Sequence, residues 1–147
     1  INKEGEILTL DNDTMEFGYR TSIIRDRPFI VLGAVLKLTP GNKEEITAKM
    51  EELMTQRKSK QPLEYPSAGS TFKRPEGYYA GKLIMDAGLR GYRIGGAQVS
   101  EKHCGFVINR GGASAADIRE VIEEVRERVK DRFHVRLEPE VIFLGDF

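Results

Sequence analysis

The segment from Tyr65 to Pro75 carries the residue types best suited to chemistry. It reads Tyr-Pro-Ser-Ala-Gly-Ser-Thr-Phe-Lys-Arg-Pro, so Ser70 follows a glycine that lets the backbone turn and approach a ligand closely. Lys73 and Arg74 can give charge-assisted hydrogen bonds to an anionic group. A serine after a glycine is also typical of a turn that hydrogen-bonds its own backbone. The residues alone therefore indicate either a ligand loop or a plain turn.

Two carboxylates lie near the end of the chain, in the run Leu-Glu-Pro-Glu-Val. Alternation predicts a strand over residues 135–144, and Glu138 and Glu140 would share one of its faces. A buried carboxylate among apolar neighbours must be ion-paired, protonated or functional. Either glutamate could pair with Arg136, so the pattern leaves a salt bridge and a catalytic carboxylate both open.

Arg74 and three further basic side chains are candidate anion contacts. Arg20 follows an aromatic-glycine-aromatic turn, a position where an arginine is commonly a loop residue paired to a carboxylate. Lys60, Arg74 and His103 can donate hydrogen bonds to a diphosphate or a carboxylate. For Lys60 a solvated surface position explains the residue equally well.

Other reaction classes find little support in the sequence. There is no Gly-x-Ser-x-Gly elbow, and only His103 and His134 are available as bases, so an activated serine nucleophile is not indicated. The two histidines and the single cysteine, Cys104, have no metal-ligand spacing, and we expect no metal. Neither Gly95-Gly96 nor Gly111-Gly112 belongs to a dinucleotide-binding fingerprint or a phosphate-binding loop.

The elements that must position these residues follow from periodicity and from turn signals. Strands are predicted at residues 6–10, 29–38 and 135–144, and two more within 92–109, with a turn at 100–103. Helices are predicted at about 43–58, at 81–87 before Gly88, and after Ser114, where Asp117 completes a capping box. The apolar stripes of the long helices comprise Ile46, Met50, Leu53 and Met54 in the first, and Ile118, Val121, Ile122, Val125 and Val129 in the last. Since strands and helices are not regularly interleaved, we predict an α+β fold with a mixed or antiparallel sheet layered with helices.

The size and charge of the chain argue against several classes of function. The chain has 147 residues and is 39% hydrophobic, which fits one domain or one domain with a fragment of a neighbour. Lys+Arg and Asp+Glu each total 23, so a general nucleic-acid binder is not expected. One cysteine excludes an intrachain disulfide and fits a reducing cytoplasm. No run predicts a membrane span, and residues 1–5 do not resemble a signal peptide.

Four motifs, in this order, carry a family resemblance. They are Phe-Gly-Tyr-Arg-Thr-Ser at 17–22, the segment 65–75, Gly-Gly-Ala-Gln-Val-Ser-Glu-Lys-His at 95–103, and Leu-Glu-Pro-Glu-Val at 137–141. Together they resemble the C-terminal part of the UDP-N-acetylenolpyruvoylglucosamine reductases, the MurB family of flavoenzymes. The resemblance implies that residues 1–35 end a FAD-binding domain and that residues 36–147 form the substrate-binding domain. Most of the flavin site, whose residues stay unknown, would lie in a preceding segment that is missing here.

The resemblance also implies roles for particular residues. Arg20, Ser70 and Glu140 match the catalytic positions: Ser70 would protonate the carbon next to the substrate carboxylate, while Arg20 and Glu140 stabilise charge on the carboxylate side. Lys60, Arg74 and His103 would bind the substrate. NADPH would reduce FAD, and the enolpyruvyl group of UDP-N-acetylglucosamine enolpyruvate would be reduced to give UDP-N-acetylmuramate. This step belongs to cytoplasmic peptidoglycan synthesis and thus to cell-wall formation, cell shape and division.

Two alternatives remain beside an active reductase. In the first, the chain is an isolated UDP-sugar-binding module that needs the missing FAD-binding segment for turnover. In the second, it binds no ligand and self-associates through an apolar face that normally packs between domains. Titration with FAD and sedimentation at several concentrations would separate these hypotheses.

Overall fold

The computed structural model describes residues 1–18 and 21–145 and divides into two units, Ile1–Asn42 and Lys43–Phe147. The first unit contains one short helix, α1, at Ile23–Asp26, and among its described residues only Ile23 is buried. The strands predicted at 6–10 and 29–38 are wrong, because the structure has no strand there. A strand needs a continuous ladder of backbone hydrogen bonds, whereas Ile30 pairs with Ile1 without continuing into a ladder in the described part of this unit.

A three-stranded antiparallel sheet forms the centre of the second unit. Its strands are β1 (Arg93–Ile94), β2 (Ala97–Val99) and β3 (Val107–Asn109), in the order β1-β2-β3. The predicted turn at 100–103 joins β2 to β3. The sequence predicts two strands within residues 92–109, whereas the structure has three. The additional strand forms because Gly95 and Gly96 make a second hairpin turn, between β1 and β2, where Gly95 has φ 52°.

Helix α4 (Ala115–Phe133) covers this sheet, and helix α3 (Ala80–Asp86) packs against α4. Helix α4 begins with the predicted capping box, in which Ser114 and Asp117 exchange hydrogen bonds, and its apolar stripe packs on the strands. Helix α3 lies within one residue of its predicted position. The fully buried side chains of this core include Ile84, Leu89, Val99, Val121, Ile122, Val125, Val129 and Leu137. The α+β prediction, with an antiparallel sheet layered with helices, is confirmed.

Helix α2 (Lys43–Lys60) is confirmed and extends two residues beyond the predicted end at Lys58. It has no buried residue, and it contacts no other helix or strand of the described chain. Its apolar stripe is therefore exposed to solvent.

The strand predicted over 135–144 is also wrong. Leu137 is buried in the core, but among the described residues of this stretch only Pro139 forms a bridge, with Phe72. Pro139 has no backbone N–H and cannot continue a ladder on that side, so the terminal segment is extended without being a continuous strand.

We expect the stability that the α4 capping box provides to depend on the negative charge of Asp117. Hydrogen bonds from the backbone N–H and hydroxyl of Ser114 and from the Gly96 N–H lower the pKa of Asp117 below its ordinary value of 3.8. A depressed folded-state pKa gives stability that is present above the unfolded pKa and is lost as pH falls through the folded value. The Asp117→Asn variant should therefore unfold at lower urea than the wild type near neutral pH, and the gap should shrink below pH 3.8. A difference between the urea midpoints of the two proteins that stays equal at every pH would contradict this prediction.

Candidate active site

Residues 67–74, here called the Ser70 segment, lie between the edge strand β3 and the terminal segment 137–140. At one end Ser67 bridges Ile108, and the Asn109 N–H donates to the Pro66 carbonyl at 2.9 Å. At the other end the Lys73 N–H donates to the Glu138 carbonyl at 2.9 Å. The segment thus joins two parts of the chain that are far apart in sequence.

Thr71 fixes the middle of this segment. It is only 2% exposed, its N–H donates to the Gly105 carbonyl at 2.8 Å, and its Oγ1 accepts from the Val107 N–H at 2.9 Å. Its carbonyl accepts from the Glu140 N–H at 2.9 Å. A threonine within a polar loop gives no local sign of burial, so the sequence analysis missed this residue.

Ser70 precedes this anchored position and is exposed. On its other side Gly69 has φ 85°, a conformation that favours glycine because it lacks Cβ. The hydroxyl is therefore carried on backbone that turns at Gly69 and is fixed at Thr71. This arrangement presents an exposed hydroxyl on backbone that is fixed on one side by the hydrogen bonds of Thr71.

The two glutamates of the terminal segment have different settings. Glu138 accepts from Lys73 Nζ at 3.0 Å, and this hydrogen bond, together with the charge of Lys73, lowers the pKa of Glu138. Its partner is thus Lys73 in place of the expected Arg136. Glu140 is exposed, and its backbone is tied to Thr71, the residue after Ser70. The fold therefore brings together the segments that carry Ser70 and Glu140.

His103 joins the same network through Gly105. Its Nδ1 accepts from the Gly105 N–H at 3.1 Å, and its ring meets Phe106 edge-on, with centroids 5.0 Å apart. The proton of the neutral ring is then on Nε2, which makes that atom a donor. Since the Gly105 carbonyl accepts from the Thr71 N–H, Gly105 links the His103 ring to Thr71, the residue after Ser70.

The other predicted residues are placed less centrally. Arg74 is exposed, stacks over the Tyr79 ring at 4.1 Å, and donates to the Tyr78 carbonyl at 3.3 Å. Lys60 is the exposed last residue of α2 and has no described contact with the Ser70 segment. Arg20 lies outside the described residues.

A half-open groove of about 410 Å³ lies next to Arg74. Neither Ser70 nor Glu140 lines it. Its walls are mostly charged and polar, comprising Lys73, Arg74, Pro75, Glu76, Tyr78, His134, Val135, Arg136 and Glu138. This lining suits a small anion better than a large apolar ring.

Thiol and metal chemistry are not supported by the described geometry. Burial raises the pKa of the Cys104 thiol, so the thiol stays protonated and is a weak nucleophile. Within residues 1–18 and 21–145, no cluster of His, Cys, Asp and Glu could hold a metal ion. The same residues contain no helix that is long and apolar enough to cross a membrane.

The geometry described above defines an α+β domain whose polar site is built on irregular segments at the edge of a small sheet. Residues 61–144 match the family model of the UDP-N-acetylenolpyruvoylglucosamine reductase C-terminal domain. The chain is 61% identical over 146 residues to the UDP-N-acetylenolpyruvoylglucosamine reductase of Lachnoclostridium phytofermentans, covering 99% of this chain and 47% of the relative. It is 58% identical to that of Agathobacter rectalis over 147 residues, covering 100% of this chain and 47% of the relative.

A solved structure agrees with these relatives. The UDP-N-acetylenolpyruvylglucosamine reductase (MurB) of Thermus caldophilus matches with a TM-score of 0.65 and 39% identity, over 87% of this chain and 45% of that protein. The chain therefore belongs to the MurB family and contains its C-terminal domain. It spans about half the length of the curated relatives it matches.

Proposed function

We propose that this chain is the substrate-binding part of a UDP-N-acetylmuramate dehydrogenase, the NADPH- and FAD-dependent reductase of UDP-N-acetylglucosamine enolpyruvate in cytoplasmic peptidoglycan synthesis. One observation supports this most directly: Ser70 and Glu140, which match the family's catalytic motifs, lie on segments joined by the hydrogen bond from the Glu140 N–H to the Thr71 carbonyl. This hydrogen bond places the backbone of Glu140 next to the residue that follows Ser70.

In the proposed reaction Ser70 is the proton donor. A reduced flavin, when bound, would supply the hydride for the enolpyruvyl methylene carbon. The Ser70 Oγ–H bond breaks, and the electron pair of the former C=C bond takes the proton at the carbon next to the carboxylate. A hydroxyl is a weak acid, but a carbon that gains carbanion character is basic enough to take its proton when both are held in contact. Glu140 and Arg20 act on the carboxylate side of the substrate, where the guanidinium of Arg20 offsets the growing enolate charge.

We propose no flavin contact at the groove beside Arg74. An isoalloxazine ring needs apolar walls, whereas the groove beside Arg74 is lined mainly by charged and polar groups. We therefore place most of the flavin site in the part of the relatives that this chain does not span, and we name no flavin-binding residue. That part, the FAD-binding segment, is the proposed partner of this chain, and residues 1–35 would be the end of its domain.

Substrate binding is proposed for Lys60, Arg74 and His103. His103 has the most defined setting, because its Nδ1 is occupied by the Gly105 N–H while Nε2 can donate to a phosphate or carboxylate oxygen. Arg74 is held by Tyr78 and Tyr79 and can still donate through its other guanidinium nitrogens. The domain limits of 1–35 and 36–147 remain part of the proposal.

Calorimetric titration of this chain with UDP-N-acetylmuramate and with FAD tests the proposal. We expect nucleotide-sugar binding without flavin binding. His103→Ala should weaken the sugar affinity about tenfold, the value of one hydrogen bond to a charged group. Lys49→Ala, on the exposed surface of α2, is the matched control and should bind like the wild type.

Two results would contradict this reading. Tight, stoichiometric FAD binding would show that the chain carries a flavin site. If the chain did not bind UDP-N-acetylmuramate, the assignment of Lys60, Arg74 and His103 to substrate binding would be wrong. An isolated binding module without turnover is the second candidate.

A further inference from the structure

We propose that Ser100 is a positioning residue for His103, because its buried hydroxyl fixes the turn that carries the histidine. Ser100 directly follows β2 and is 1% exposed. Its Oγ accepts from the Lys102 N–H at 3.2 Å and from the His103 N–H at 3.3 Å. The inference deepens the proposed function and rests on it, since it takes His103 to contact an oxyanion of the nucleotide sugar, either a phosphate or a carboxylate.

The turn between β2 and β3 is closed by further hydrogen bonds. The Ser100 N–H donates to the Phe106 carbonyl at 2.9 Å, and the Phe106 N–H donates to the His103 carbonyl at 3.0 Å. Outside the turn, the guanidinium of Arg90 donates to the Glu101 carbonyl. The Ser100 hydroxyl supplies the acceptor for two N–H groups inside the turn, which backbone groups need when they are shielded from water. The backbone at His103 therefore depends on Ser100.

The ring of His103 is fixed in addition to its backbone. Its Nδ1 accepts from the Gly105 N–H at 3.1 Å. An added Cβ would lie 2.9 Å from the His103 Cε1 if it were placed at Gly105, and 3.3 Å from the same atom if it were placed at Gly81. The ring thus packs closely against the backbone of two glycines, which leaves it little room to turn.

The Nε2 atom is the one hydrogen-bonding group of His103 without a partner among residues 1–18 and 21–145. The backbone N–H, the carbonyl and Nδ1 all have partners within the turn. His103 is exposed, so a ligand can reach its Nε2–H. A donor that is fixed before binding loses less side-chain entropy when the ligand arrives. Ser100 therefore contributes to substrate affinity through His103.

A double-mutant cycle, measured by calorimetric titration of this chain with UDP-N-acetylmuramate, tests this role. Ser100→Ala should weaken binding by about three- to tenfold, at most the loss expected for His103→Ala. In the His103→Ala background, Ser100→Ala should have no further effect, because the ring that it positions is absent. Ser114→Ala is the matched control: its Oγ also accepts a backbone N–H, that of Asp117 at 3.1 Å, but it caps α4. This control should bind like the wild type.

NMR of the nitrogen-labelled chain gives a readout that does not depend on affinity. At about pH 8, where an ordinary histidine is neutral, the wild-type His103 ring should be a single tautomer with its proton on Nε2. Ser100→Ala should shift the ring toward a mixture of both tautomers, because a loosened turn weakens the bond to Nδ1. His134, the only other histidine, should not change. In the wild type, the amide hydrogens of Lys102 and His103 should exchange more slowly than in an unfolded chain.

Several results would overturn the inference. Equal affinity losses from Ser100→Ala with and without His103 would assign Ser100 to general folding. Unprotected amides at Lys102 and His103, or a mixture of tautomers in the wild type, would also overturn it, and these two measurements hold even if Ser100→Ala does not fold. Weaker binding by His103→Ala combined with wild-type binding by Ser100→Ala would overturn the inference alone. Wild-type binding by His103→Ala would overturn both the proposed substrate contact and the inference.

Discussion

Replacing Ser70 by alanine in a full-length reductase, made by joining this chain to the part of the L. phytofermentans reductase that it does not match, should slow substrate reduction by about 10²- to 10⁴-fold, the usual contribution of a positioned proton donor. Reduction of the flavin by NADPH should be unchanged, because that step needs no proton at the substrate carbon. Ser70 is exposed and follows Gly69, so loss of one hydroxyl should leave the fold intact. Stopped-flow absorbance of the flavin, with NADPH alone and then with substrate, measures the two steps separately.

Ser59→Ala is the matched control for this variant. Its hydroxyl is also exposed and donates to a backbone carbonyl, that of Gln56, but it lies on α2 away from the Ser70 segment. We expect both steps to proceed at wild-type rates in this control. If Ser70→Ala slowed both steps equally, or neither, Ser70 would not be the proton donor.

Gly96→Ala should have the largest effect on stability, reducing the free energy of unfolding by roughly 3 kcal/mol, at the upper end of the usual cost of overpacking. A Cβ at this position would lie 2.5 Å from the Gly111 carbonyl oxygen and 2.6 Å from the Ala113 Cα. Both are backbone atoms in the loop before α4, so no side chain can rotate away to make room. The β1–β2 hairpin and the start of α4 must then separate.

Urea unfolding of this chain measures the effect, and Gly33→Ala provides the control. A Cβ at Gly33 would meet no atom within 4 Å, and its backbone does not need a positive φ. Gly33→Ala should therefore unfold close to the wild-type midpoint. A Gly96→Ala midpoint equal to that of the control would show that the hairpin and α4 are not packed as closely as the structure has them.

Helices were predictable because their signals are local. Ser114, Asp117 and the stripe from Ile118 to Val129 lie within a few turns of one another, so the cap, the buried face and the helix itself follow from spacing alone. The motifs around Ser70 and Glu140 can also be recognised from their residue types and order alone. The sequence could thus determine the α+β class, the helices, the family and the list of candidate groups.

Strands and site geometry depended on partners that are distant in the chain. The predicted strands at 6–10, 29–38 and 135–144 have the composition of strands but no continuous ladder, since a strand forms only where another backbone pairs with it. In the same way, Thr71 as an anchor and Lys73 as the partner of Glu138 follow from hydrogen bonds that span dozens of residues. Only the tertiary structure decides such pairings, because spacing along the chain does not encode which distant backbone groups meet.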